Sequence, residues 1–282
     1  MYANGGIFLI TTLTVEEKQG KNAAARFWNL IRGDSLKTEI FEINETIIRE
    51  ITYKKRRKSI NPEKISAAAG NQREYIVCSE GIFKNGEAGL YRFYAPRFEG
   101  RMCSNFALEC VRQMKTADRS LKIGVLDNFC SCTDIVRNLL RFSDNVTVVS
   151  STPDEYGYVA DEILSDCGAS FLLTVDPSAL GDCRLLIAPE RIKLPLSLSS
   201  RTLVLTVAPP VHPIGGQVYW KYSIELPLEA EALRPKGIDE VYFASALYTK
   251  ARCHSLGTLI PTLVSNLSSA HTPQSAALAM EI

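Results

Sequence analysis

From residue 121 onward, short runs rich in Val, Ile and Leu recur between amphipathic stretches, and this alternation constrains the fold more than any other feature of the chain. Strands are predicted over 122–126, 145–150, 170–175, 185–188 and 202–207, with helices over 133–142 and 154–165. Strands that are apolar on both faces need cover above and below, and helices lying between them in sequence supply the crossovers of a parallel sheet. The fold class that follows is α/β: a parallel sheet flanked by helices, with a second, mixed α/β domain before it.

The N-terminal part has a different rhythm. Gly6–Thr12 reads as a strand, and Thr14 with Glu17 makes a capping box for a helix through Phe27, Trp28 and Ile31 that stops at Gly33. Leu36–Ile43 is strand-like, while Ile47, Ile48 and Ile51 fit helix or strand. A basic run, Lys54 to Lys58, precedes Asn61-Pro62-Glu63, a helix start with cap, proline and acid in order, and Gly70 closes that helix. Five like charges in a row fit a solvated face or loop, or a receptor for an acidic partner. Glu74–Cys78 and Leu90–Tyr94 read as strands around a turn at Lys84–Glu87, and Ser104 as the cap of an apolar helix. The polar stretch Lys115–Ser120 marks a boundary, which divides the chain into 1–115, 116–210 and 211–282. In the last segment, alternation predicts a half-buried strand at 218–224. Helices are expected over 239–251 and, interrupted by Pro261, through Leu263, Val264 and Leu267, with a loose end from His271.

Composition removes several function classes. The 282 residues carry 32 Lys+Arg against 31 Asp+Glu, and this near-neutral balance argues against a nucleic-acid binder, which works through a broad basic face. No apolar run approaches the ~20 residues of a membrane span, and the N-terminus has no basic leader, so a cytoplasmic protein with no membrane or nucleic-acid partner is expected. Eight cysteines are scattered without a Cys-x-x-Cys pair, and the three histidines lie in separate segments, so no metal site is expected. Cys253-His254 are neighbours with no third group to orient them.

Chemistry is expected at the end of the first regular strand. There Lys122-Ile123-Gly124-Val125-Leu126 leads into Asp127-Asn128-Phe129-Cys130-Ser131-Cys132, and a helix opens at Thr133. The next strand ends at Val149-Ser150-Ser151-Thr152, and Leu180-Gly181-Asp182-Cys183-Arg184 precedes the run to Ala188-Pro189. Over about residues 120–210 this pattern resembles the Rossmann-like NAD(P)-binding domain of the shikimate dehydrogenase and glutamyl-tRNA reductase type. The resemblance implies a dinucleotide, NAD(P), at Asp127, Asn128, Ser131, Thr133, Ser150 and Ser151. The sequence departs from that type where it matters: the glycine fingerprint is missing, and only Gly124, inside the strand, is present. Ser131 and Thr133 suit either an anion at the helix start or a plain N-cap. Cys130 and Cys132 flank the turn, where a thiol can be activated or can simply fit a tight space.

Arg92, Arg97 and Arg101, interleaved with Tyr91, Phe93, Tyr94 and Phe98, are candidates for an anionic substrate between the domains or for structural ion pairs. Arg97, Arg101 and His212 form the substrate-binding set; His212 lies in a Pro- and Gly-containing loop, 208–216, that suits a lid or a connector. Two functions follow: a ligand-sensing or interaction protein on a Rossmann-like domain that has lost its dinucleotide site, with a small-molecule or protein partner, or an NAD(P)-dependent oxidoreductase with an interdomain substrate cleft. No motif supplies catalytic residues.

Overall fold

A computed structural model describes residues 8–17, 33–43, 46–57, 59–114, 119–131, 133–250 and 256–281. The expected helix before Gly33, Lys58, Cys132 and the Cys253-His254 pair lie outside them. The chain forms two compact units, one drawn from Met1–Ala95 and Leu226–Leu256, the other from Pro96–Glu225 and Gly257–Ile282.

In the first unit, β1 (Phe8–Glu17), β2 (Ser35–Ile43), β3 (Thr46–Lys55) and β4 (Ile76–Cys78) form a sheet of order β2-β3-β1-β4. Strand β2 runs antiparallel to β3, and the other pairs are parallel. The ambiguous isoleucines therefore belong to a strand. Thr14 and Glu17 continue β1 instead of capping a helix, and Glu16 and Glu17 stand in register with Lys54 and Lys55. Part of the basic run is thus strand, with Lys55 paired to Glu17 at 2.8 Å. Helix α1 (Pro62–Ala69) begins as predicted, with Asn61 accepting from the Lys64 amide at 3.1 Å, and ends at Gly70, whose φ of 56° suits glycine. It buries Ile65 and Ala69 against Leu13, Ile51, Tyr53 and Ile76. Asp34 ties the unit together, accepting from Tyr53 Oη at 2.8 Å and from the Arg56 amide at 2.7 Å. Burial works to raise its carboxyl, but those bonds and the Arg57 amide hold it below the usual range. The predicted strand at Leu90–Tyr94 is absent: a single bridge joins Ile76 and Arg92, and the flanking bonds lead into turns, from the Tyr91 amide to the Arg73 carbonyl and from the Gly86 amide to the Leu90 carbonyl. Among the described residues the unit has two further helices: α2, Leu228–Ala232, and α3, Glu240–Ser245, capped by Asp239 and continued by a wider turn over Ala246–Lys250.

The second unit opens with α4 (Phe98–Arg112), so its start precedes this helix and not residue 116. The reason is packing: α4 lies against the sheet and the other helices of this unit, with Phe98, Met102, Phe106 and Cys110 buried. Ser104 is interior and donates to the Gly100 carbonyl at 3.0 Å, so it is not a cap. The sheet contains β5 (Ile123–Leu126), β6 (Val146–Val149), β7 (Leu172–Thr174), β8 (Leu185–Ile187), β9 (Leu203–Leu205) and β10 (Gln217–Tyr219) in the order β10-β9-β8-β5-β6-β7, all parallel. Helices α5 (Thr133–Leu139) and α6 (Pro153–Cys167) follow β5 and β6. From β5 the chain winds outward to β7, then returns to β8 on the other side of β5. This is the doubly wound Rossmann order, with its switch point between β5 and β8. Gly124 serves packing, since a Cβ there would stand 2.7 Å from Leu180 Cδ2.

The expected strand at 218–224 breaks at Trp220. Its second half, β11 (Lys221–Ser223), joins β12 (Leu263–Ser265) and β13 (Ala270–His271) in an antiparallel sheet. The Pro261-interrupted helix is therefore absent: Val264 is buried at period two, and Leu267 stays exposed. Nor is the terminus loose. Helix α7 (Pro273–Glu281) buries Ala276, Ala277 and Met280, and Arg184 Nη2 donates to the Met280 carbonyl at 2.7 Å. No helix of the described residues is long and apolar enough to cross a membrane.

Candidate functional site

Ligands of open parallel sheets bind outside the carboxyl ends of the strands at the switch point. Asp127 follows the last residue of β5 there, and its side chain is fully buried. Its Oδ1 accepts from the Phe129 amide at 3.2 Å and from Ser131 Oγ at 2.9 Å, while Oδ2 accepts from Tyr156 Oη at 2.7 Å. The residue's own amide donates to the Val149 carbonyl, which keeps the turn on the sheet.

The neighbouring residues are tied to β6's end. Asn128 Oδ1 accepts from the Ser151 amide at 3.1 Å, and the Asn128 carbonyl accepts from Thr152 Oγ1 at 3.0 Å. Ser150 is buried, and its hydroxyl accepts from the Thr152 amide at 3.2 Å. The structure thus brings Asp127, Asn128, Ser131, Ser150 and Ser151 together, and Thr133 follows as the first residue of α5. The Ser131 hydroxyl turns back to Asp127 and is not directed at the helix start.

These residues do not fit a pyrophosphate. No glycine lies in the turn; the left-handed position is held by Cys130 at φ 50°, so a Cβ stands where a fingerprint glycine would let the backbone approach a phosphate. The Phe129 amide and the Ser131 hydroxyl are bonded to a carboxylate, and that carboxylate adds negative charge where an anion would sit. The Phe129 ring is 68% exposed at the tip. A second carboxylate follows β8: Glu190 is pushed up by burial, then by the charge of Asp127, against the opposing pull of Lys193 and Arg97. Cys130 is not an activated thiol. Burial, then the charges of Asp127 and Glu155, push it up to about 11.

The substrate-binding candidates are not gathered into this crevice by any hydrogen bond. Arg101 is committed to Asp134 of α5, with Nη1 to Oδ2 at 2.6 Å. Arg97 precedes α4 and acts on Glu190 only through its charge. Arg92 belongs to the other unit and pairs there with Glu80. His212 is exposed in a loop whose stem is fastened by the Val211 amide on Ile192 O at 2.9 Å and by Arg191 Nε on Pro209 O at 2.8 Å. The glycine pair of that loop is no hinge: a Cβ on Gly215 would stand 2.2 Å from the Leu198 carbonyl oxygen, and one on Gly216 2.5 Å from that of Thr202. Close backbone packing is the reason for both. Among the described residues no cluster of His, Cys, Asp or Glu is arranged to hold a metal ion.

Sequence reasoning missed Tyr156 and Glu190. Tyr156 lies on the buried stripe of α6 with Ile163, and a tyrosine in such a stripe needs an acceptor for its hydroxyl. Glu190 comes just after Ala188-Pro189, outside the strand pattern.

Neither a protein-family model nor a curated protein sequence matches the chain. Among solved structures, L-tryptophan dehydrogenase from Nostoc punctiforme is similar at 12% identity and a TM-score of 0.33, over 99% of this chain and 82% of that one. Δ1-pyrroline-2-carboxylate reductase of Thermococcus litoralis, in complex with NADH and L-proline, matches at 12% identity and a TM-score of 0.29, over 64% of this chain and 61% of that one. The ligand-free 5-ketofructose reductase of Gluconobacter sp. strain CHM43 matches at 11% identity and a TM-score of 0.30, over 98% of both chains. The Rossmann-like assignment rests on the strand order of this chain.

Proposed function

We propose that the protein is a ligand-sensing or interaction protein whose Rossmann-like unit is degenerate in its dinucleotide site. The observation that carries this reading is the bonding of Asp127: its carboxylate occupies the Phe129 amide and the Ser131 hydroxyl, the donors a phosphate would otherwise use. The partner is a small molecule or a protein, and neither nucleic acid nor membrane is involved, in keeping with the near-zero net charge. A cytoplasmic location is part of the same proposal.

The alternative is an NAD(P)-dependent oxidoreductase, favoured by the strand order and the switch point between β5 and β8. A thermal-shift titration against NAD, NADH, NADP, NADPH, FMN and adenine nucleotides separates the two. A ligand of the native state at 100 times its dissociation constant adds about 2.7 kcal/mol of stability. No shift is expected with any of them; a clear rise with one dinucleotide overturns the proposal in favour of the oxidoreductase.

A further inference from the structure

Beside α1, the first unit carries two hollows of about 690 and 500 Å³, both lined by Glu63 and Ala88. The larger lies within the usual size of a small-molecule site, roughly 300–1,000 Å³. Three charged side chains line it, Glu63, Arg73 and Glu74. None of the three has a hydrogen-bond or ion-pair partner for its side chain among the described residues, and they do not pair with one another. All three are exposed, and opposite charges that share a hollow without pairing present both signs to a ligand.

The backbone at 88–89 borders one of these charges. The Arg73 side chain lies against Gly89, where a Cβ would stand 3.3 Å from Arg73 Nε, and Gly89 has φ +74°. Beside it Ala88 holds φ 52° and ψ 26°, left-handed values that a residue with a Cβ adopts only when its neighbours impose them. Ser66 and Asn71 add neutral donors and acceptors to the lining.

We propose that this hollow binds a small zwitterion of the amino-acid class, its carboxylate on Arg73 and its ammonium group on Glu63 and Glu74. A simple anion would face two carboxylates, and a simple cation would face the guanidinium; a ligand with both charges matches all three. The inference rests on the first unit alone and stands or falls independently of the dinucleotide question.

Isothermal titration of the full chain with glycine, L-alanine, L-glutamate and L-lysine, at up to millimolar concentration, tests it, with acetate and methylammonium as single-charge controls. Saturable binding of at least one amino acid is expected, with none for the controls. Arg73→Gln lowers the affinity about tenfold, the effect of one charge-assisted contact, and the pair Glu63→Gln, Glu74→Gln lowers it at least as much. Ala67→Trp, at an exposed position of the lining, blocks the hollow without removing a hydrogen bond. Absence of binding by every amino acid to folded protein overturns the proposal. So does an affinity that is unchanged in these variants.

Discussion

Tyr156 and Asp127 are joined by a hydrogen bond of 2.7 Å from the phenolic hydroxyl to Oδ2, and both side chains are fully buried. The bond ties α6 to the end of β5 and leaves the carboxylate with donors on both of its oxygens. Replacing Tyr156 by Phe keeps the ring and removes the donor, so a buried charged acceptor is left under-satisfied. The expected loss of stability is about 1–3 kcal/mol, read from the urea midpoint. An unchanged midpoint would show that Asp127 does not depend on this bond.

Gly124 is closely packed. In Gly124→Ala the new methyl meets Leu180 Cδ2 at 2.7 Å, with Cys183 Sγ and Leu186 Cδ1 each at 3.3 Å. Overpacking of this kind costs about 1–3 kcal/mol. Thermal denaturation checks it.

Glu190 gives stability a pH dependence of known sign. Its folded-state carboxyl is raised from the ordinary value of 4.5, by burial first and by the charge of Asp127 second. In the window above that value the native state holds a proton that the unfolded chain has released, so its contribution to stability falls as pH rises. Glu190→Gln removes this dependence. Urea midpoints of the two proteins converge at low pH and separate above the window, with the variant the more stable.

The thiol of Cys130 is pushed up to about 11 from an ordinary value of 9.0. At pH 8 its thiolate fraction is then lower by roughly a hundredfold, and only the thiolate is alkylated at a useful rate. Peptide mapping after brief iodoacetamide treatment should find Cys130 unmodified when a model thiol peptide is fully labelled. Asp127→Asn removes one of the charges responsible and should speed the reaction.

The parallel sheet was legible because each strand is a continuous Val/Ile/Leu run and each crossover helix has its own period. Asn61, Pro62 and Gly70 announced α1 because capping is local chemistry. The failures fell where local signals are shared. Ser104 has a cap residue's side chain but bonds one turn back, and the apolar residues 259–267 fit a helix until pairing with β11 selects a strand. In the candidate site, the turn and its hydroxyl residues could be read, since strand ends mark them. The carboxylate that occupies their donors could not, because the third bond comes from Tyr156, on an element 29 residues away.

The connectivity of the two units sets how the protein can be taken apart. Because Leu226–Leu256 belongs with the N-terminal residues and Gly257–Ile282 with the parallel sheet, the segment 226–256 interrupts the second unit as an insertion does. A fragment cut after β9 or β10 would lose α7, and with it the cover over part of α4. The opposite operation respects the architecture. Ser223 is paired with Leu263 across β11 and β12, and the Thr262 amide donates to the Ser223 carbonyl at 2.9 Å, so the two ends of the interruption leave from adjacent strands. A linker that joins Glu225 to Gly257 makes the sheet unit one continuous polypeptide and leaves the β11–β12 pairing inside it.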